Sequence, residues 1–298
     1  MPNTPTAAQH LLDFKPAHAF FVGIDSDGCA FDTMEIKQKE CFVPNIIKYW
    51  HLQAVSKYAR EVIEFVNLYS KWRGINRWPA LIKDFDLLAE RPEVQARKAA
   101  IPAAQQVRQF IASGFALSNE GLKAYMVQPS DPELEQALAW SNAVNQTIED
   151  IVHHVPPFPN VRPSLERLAG LADVVVVSAT PTEALTREWE EHDVARYAAI
   201  IAGQEMGTKK QHLAWGAGDK YTAGHVLMIG DAMGDLEAAR ANRALFFPIR
   251  PGQEEESWEC FYDEALDKFI GESYAGPYEA GLVAEFEKLL PEIPPWKK

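Results

Sequence analysis

Five short apolar runs punctuate the chain: AFFVGID (19–25), ADVVVVSA (172–179), AAIIAG (198–203), HVLMIGD (225–231) and ALFFPI (244–249). Their apolar positions are continuous rather than alternating, the pattern of strands covered on both faces in a parallel sheet. Helical patterns separate the later runs. In TPTEALTREWEEH, Thr180 is expected as N-cap, with Pro181 at the first helical position and Glu183 completing a capping box. TKKQHLAW repeats the device with Thr208 and Gln211, and GDLEAARANR supplies a further helix before the fifth run. This alternation predicts an α/β fold, a Rossmann-like doubly wound parallel sheet.

Between the first and second runs the rhythm changes. VSKYAREVIEFVNLYSKW and DPELEQALAWSNAVNQTIEDIVHH have helical periodicity with little strand character, and VPPFPNVRPSLERLAG closes the segment with prolines. Residues 33–157 therefore read as an inserted, mostly α-helical cap domain, with 1–32 and 158–298 forming the α/β core. WECFYDEALDKFI and YEAGLVAEFEKLL read as helices packing on that core, and EEES (254–257) as a solvated first helical turn.

Composition narrows the function classes. At 298 residues the chain can bury a sizeable core, and 47% hydrophobic with 24% charged residues is ordinary for a globular protein. A net charge of −13 disfavours non-specific attraction to nucleic acid or anionic membranes. An anionic substrate can bind only where local cations or a metal reverse the field. Cys29, Cys41 and Cys260 have unrelated spacings, giving neither a disulfide framework nor a zinc pattern, so a reduced cytoplasmic setting is expected. MPNTPTAAQHLLDFKPAHAFF lacks the basic and apolar regions of a signal peptide, and no run approaches a membrane span.

The chemistry-bearing residues cluster where the apolar runs end. In an open α/β sheet, ligands bind beyond the carboxyl ends of the strands. The first run ends on Asp25, followed by Asp27; the second ends in Ser178; the fourth ends in GDAMGD, with Asp231 and Asp235. The third leads to Lys209 and Lys210. Four converging carboxylates are untenable without a cation, and Mg²⁺, a hard ion preferring oxygen ligands, suits them. A lysine in the first turn of a helix lies at the wrong end of the macrodipole, which points to an anion nearby.

DSDGCAFDT, Ser178, Lys209 or Lys210, and GDAMGD resemble, in order, the four motifs of the haloacid dehalogenase superfamily. The match spans about residues 18–32 and 158–250, and that family's cap inserted after the first strand agrees with the pattern above. The resemblance implies a phosphatase in which Asp25 attacks phosphorus to form an aspartyl-phosphate and Asp27 is acid, then base. It further implies Mg²⁺ held by Asp25, the Asp27 carbonyl and Asp231, with Asp235 a direct or water-mediated partner. Ser178 and one lysine, Lys209 preferred, would hold the phosphoryl oxygens, with Gly28 and Ala179 lining the substrate. Dehalogenases and phosphonate-cleaving relatives lack an aspartate at position 27, so the substrate is expected to be a small phosphate ester. WRGINRWPAL (72–81) resembles the substrate loop in caps of β-phosphoglucomutase-like members, where Arg77 would grip a second anionic group, with Arg73, Asn76 and Trp78 as weaker neighbours. The cap would then close over the substrate and exclude water.

Competing readings stand beside these. A phosphomutase uses the same nucleophile, and a non-catalytic binding protein can keep the fold. Asp32 reads at least equally as a helix cap and Arg77 equally as half of a surface ion pair; Ser178 also reads as a turn residue, and Asp235 as helix-start charge, though its spacing from Asp231 favours the metal site. Trp72 and Trp78 fit packing better than a substrate platform. Cys29 stands where most of the family has Thr, and is expected to slow turnover or to present an oxidisable thiol. The sequence leaves oligomeric state open.

Overall fold

The computed structural model describes residues 8–126 and 131–297; the first seven residues of the stretch read for a leader lie outside them. All five apolar runs form strands: β1 Phe20–Ile24, β2 Ala172–Val177, β3 Ala198–Ala202, β4 Val226–Gly230 and β5 Leu245–Pro248. They make one parallel sheet in the order β3-β2-β1-β4-β5. Strand order reverses on either side of β1, so the carboxyl ends of β1 and β4 flank the switch point at which such sheets bind ligands.

The continuous apolarity has a direct cause. Val22, Ile24, Val174, Val176, Leu227 and Ile229 face one buried cluster, while Phe21, Val175, Val177, Met228 and Phe246 face another. Side chains alternate across a strand, so a sheet covered on both faces favours apolar residues throughout, and the buried exception, Asp173 in β2, accepts from Ala17 N–H, His18 N–H and the Tyr221 hydroxyl.

The chain divides into two units, residues 1–33 with 154–291, and 34–153 with 292–298. The sheet lies in the first unit. From the sequence, 154–157 belong with the cap and 292–298 with the core; the contacts place both segments the other way. Pro157 bridges Phe31, and Phe158 N–H donates to the Ala30 carbonyl, which ties the returning linker to the loop after β1.

The second unit is helical, as the periodicity predicts, with Ser56–Leu68, Arg77–Ala89, Gln105–Ala112 and Pro132–Ile151 as its longer elements. Trp78 and Trp140 are fully buried and meet edge to face at 5.6 Å, with Phe110 against Trp78 at the same distance. These tryptophans are packing residues. Trp296, from the C-terminal segment, stacks at 4.5 Å on the Arg91 guanidinium and meets Phe65 edge-on. Among the described residues, no helix is long and apolar enough to cross a membrane.

One helical-unit residue resists its surroundings. Asp84 is 2% exposed, and burial pushes its carboxyl well above the ordinary range, opposed only by the Asn67 amide. The folded state therefore holds this proton more tightly than the unfolded chain, and stability falls as pH rises from about 4 through the elevated value. Asp84→Asn is expected to flatten that dependence. Its melting midpoint should exceed wild type's at pH 8 and match it near pH 4. Thermal unfolding across that range checks this.

Candidate active site

β1 and β4 pair in register up to Ile24 and Ile229, and Asp25 N–H continues the ladder to the Ile229 carbonyl at 3.0 Å. Asp25 and Asp231 therefore emerge side by side. Asp235 follows one turn into the helix Met233–Ala241, where its Oδ2 accepts from Ala232 N–H at 3.1 Å. Its side chain packs flat on Gly230: a Cβ there would stand 2.4 Å from the Asp235 Cγ. The three acids are almost wholly buried, with one oxygen from each within 4.8 Å of the others.

Lys209 answers that charge. Thr208 and Gln211 form the expected capping box, fixing Lys209 as the first residue of the helix Lys209–Gly216. Its Nζ donates to Asp25 Oδ2 at 2.6 Å and to Asp235 Oδ1 at 2.7 Å. The anion implied by a lysine at a helix start is thus a pair of carboxylates. Burial alone would lower the lysine's pKa, but Asp235, Asp25 and Asp231 outweigh it and hold the ammonium charged. One lysine does not neutralise three acids. Burial, with Asp231 beside it, raises Asp25 to about 6, and burial with Asp25 nearby raises Asp235 to about 6, both against the pull of Lys209. The donors are all carboxylate oxygens, a set that suits a hard divalent cation.

The other expected residues divide. Ser178 is buried beyond β2; its Oγ accepts from Thr180 N–H at 3.2 Å, and its hydroxyl proton makes no hydrogen bond among the described residues. Gly28 takes a φ of 73°, the left-handed turn that follows Asp27, and Ala179 is exposed beside Ser178. Lys210 is exposed and donates nothing to the acids, so the structure brings Lys209 alone to them. The side chain of Asp27 also stands apart: three carboxylates converge, not four. Its Oδ1 accepts from the Thr33 hydroxyl and its Oδ2 from Thr180 at 2.7 Å.

Thr180 is therefore not the expected N-cap. The helix begins at Thr182 with Pro181 at the cap position, and Glu205 accepts from both the backbone and the hydroxyl of Thr182. Asp32 is exposed, just before the helix Met34–Ile36. Cys29 is fully buried, and Sγ donates to the Ile229 carbonyl at 3.6 Å. Burial, then Asp231 and Asp25, push its thiol well above the usual range. This corrects the expectation of an oxidisable thiol, because reactivity needs an accessible thiolate.

In the helical unit, each end of the Asn76 amide makes a structural hydrogen bond. Oδ1 caps its helix by accepting from Trp78 N–H, and Nδ2 donates to the Leu117 carbonyl. Asn76 is thus a helix cap. Among the described residues Arg77 forms no surface ion pair: Nη1 donates to Ser141 O, Ser141 Oγ and Asn145 Oδ1, all neutral acceptors. Its Nε and Nη2 make no hydrogen bond among the described residues. Burial lowers its pKa to about 10, so it stays charged at neutral pH.

Solved structures with this arrangement of elements include a β-phosphoglucomutase from Clostridium difficile, at 12% identity over 86% of this chain and 99% of that one, TM-score 0.50. The chain has the haloacid dehalogenase fold. Structures with the same description include a haloacid dehalogenase-like hydrolase from Bacteroides fragilis (15% identity, 80% of this chain and 93% of that one, TM-score 0.48) and a haloacid dehalogenase-like family hydrolase from Xanthomonas campestris (12%, 88% and 97%, 0.45). No family model matches the sequence, and no curated protein matches it. The haloacid dehalogenase fold accounts for the sheet order. It does not account for Ser26, Glu188 and Trp189, which the motif search passed over. The signal for Ser26 was a hydroxyl between two acids at the end of an apolar strand.

Proposed function

We propose that the chain is a Mg²⁺-dependent phosphatase of the haloacid dehalogenase superfamily, acting on a small phosphorylated metabolite through an aspartyl-phosphate on Asp25. One observation carries this reading: Asp25, Asp231 and Asp235 converge with Lys209 at the ends of adjacent central strands. In this reading Asp25, Asp231 and Asp235 would hold the ion, which would supply charge neutralisation for the phosphoryl group. Asp25 attacks phosphorus, and the ester P–O bond breaks as Asp27 protonates the departing oxygen. Asp27 then takes a proton from water, whose oxygen displaces phosphate from Asp25. The unspent Ser178 hydroxyl and Lys209 bind phosphoryl oxygens. Arg77, with two unused donors, is proposed to bind a second anionic group of the substrate.

A panel of phosphate monoesters assayed with Mg²⁺ and with EDTA tests this. Hydrolysis that stops in EDTA is expected; wild type inert on every ester would overturn the proposal. Interconversion of phosphosugar isomers without net phosphate release would favour the mutase reading, which the likeness to a β-phosphoglucomutase keeps in view. The metal set is testable separately through Gly230→Ala. The added Cβ has no room beside Asp235, so Asp235 must shift. Mg²⁺ activation should weaken at least about tenfold, as titration of turnover against the ion would read.

A further inference from the structure

We propose that Ser26 is a positioning residue that fixes both working acids through a hydrogen-bond relay running from Trp189 through Ser26 to Glu188. The proposal rests on the phosphatase reading and goes beyond it. Ser26 lies between Asp25 and Asp27 and is fully buried. Trp189 Nε1 donates to its Oγ at 3.0 Å, and its Oγ donates to Glu188 Oε2 at 2.9 Å. The direction is fixed by chemistry. An indole N–H only donates and a carboxylate only accepts, so the single hydroxyl proton must point to Glu188.

The rest of Ser26 is equally engaged. Its N–H donates to Asp25 Oδ1 at 2.8 Å, orienting the carboxylate whose Oδ2 faces Lys209. Its carbonyl accepts from the N–H groups of Cys29, Ala30 and Phe31, closing the turn that carries Asp27. The relay thus ties the peptide between the two acids to the helix Thr182–Glu191. That helix starts just beyond Ser178 and Thr180, so one rigid element sets the first and second strand ends against each other. Phe31 rests edge-on against the Trp189 ring at 5.7 Å, which holds the indole in place. A side-chain anchor at this point limits the rotation of the peptide that both acids share. Displacements of about 1 Å at reacting atoms cost on the order of a hundredfold in rate.

Two variants test the relay. Ser26→Ala removes the hydroxyl, and Trp189→Phe removes only the donor while keeping a ring. With an ester that wild type hydrolyses, each should lower kcat at least about tenfold, with KM and the Mg²⁺ requirement within about threefold of wild type. The double variant should lose no more than Ser26→Ala alone, because both break one relay. The Trp189 indole N–H resonance should shift in Ser26→Ala. An active wild type whose two variants keep full kcat, or whose losses multiply, overturns the relay alone. A wild type inert toward all esters overturns the phosphatase reading and this proposal with it.

Discussion

Asp25→Asn should abolish ester hydrolysis, lowering kcat by on the order of 10⁴-fold or more, and should make the metal-free protein more stable rather than less. The first effect follows from the proposed chemistry, since an amide cannot form the acyl-phosphate. The second follows from the electrostatics of the three acids. Burial and Asp231 raise Asp25 from 3.8 to about 6. A carboxyl with a raised folded pKa stabilises least where it is ionised, so the cost grows between about pH 4 and pH 6 and is constant above. At about 1.4 kcal/mol for each tenfold change in proton affinity, wild type gives up about 2–3 kcal/mol at pH 7.5 to keep Asp25 charged. The variant should therefore melt higher than wild type at pH 7.5 in EDTA, and the advantage should vanish near pH 4. Turnover and melting curves on the same preparations check both. A loss of turnover accompanied by a loss of stability would mean that Asp25 is structural.

Lys209→Met should give the second largest change, with the opposite sign in stability. The substitution keeps much of the side-chain volume and removes the ammonium bonded to Asp25 and Asp235. Leaving buried acids without their counter-charge costs about 3–5 kcal/mol at high pH, and the penalty should shrink as pH falls toward 6, because without the pull of Lys209 the acids take up protons above the value they have in wild type. Turnover should fall about 10²–10³-fold, because a cation on the transferring group is lost. Mg²⁺ should restore much of the stability and little of the turnover. Lys210→Met is the control, expected within twofold of wild type because Lys210 is exposed.

The parts of this fold that were legible are those encoded locally. Continuous apolar runs identify strands because a sheet covered on both faces tolerates a polar position only where it is paired, as Asp173 is, and Thr208 with Gln211 marks a helix start because both partners lie within one turn. Asp25, Asp231, Asp235 and Lys209 could be found because each stands at a strand end or helix start. Thr180 escaped because two uses of a hydroxyl competed, and the long-range acceptor Asp27, 153 positions away, won over the local cap. Cys29 was opaque for the same reason. Its surroundings come from Ile229 and from Trp258, whose indole donates to the Cys29 carbonyl across 229 positions. Asn76 looked like a ligand because it neighbours Arg77, yet its own helix and the Leu117 carbonyl engage it.

The C-terminal segment bears on how the protein can be taken apart. The chain passes between the two units three times, after 33, 153 and 291, so neither unit is one continuous stretch. A fragment of residues 34–153 would resemble a clean excision, yet it would lack Trp296 and lose its contacts with Phe65 and the Arg91 guanidinium. A chain cut after 291 would keep Asp25, Asp231, Asp235 and Lys209 while removing the same contacts from the other unit. Fragment experiments should therefore supply the missing heptapeptide in trans before poor behaviour of either piece is blamed on its own core.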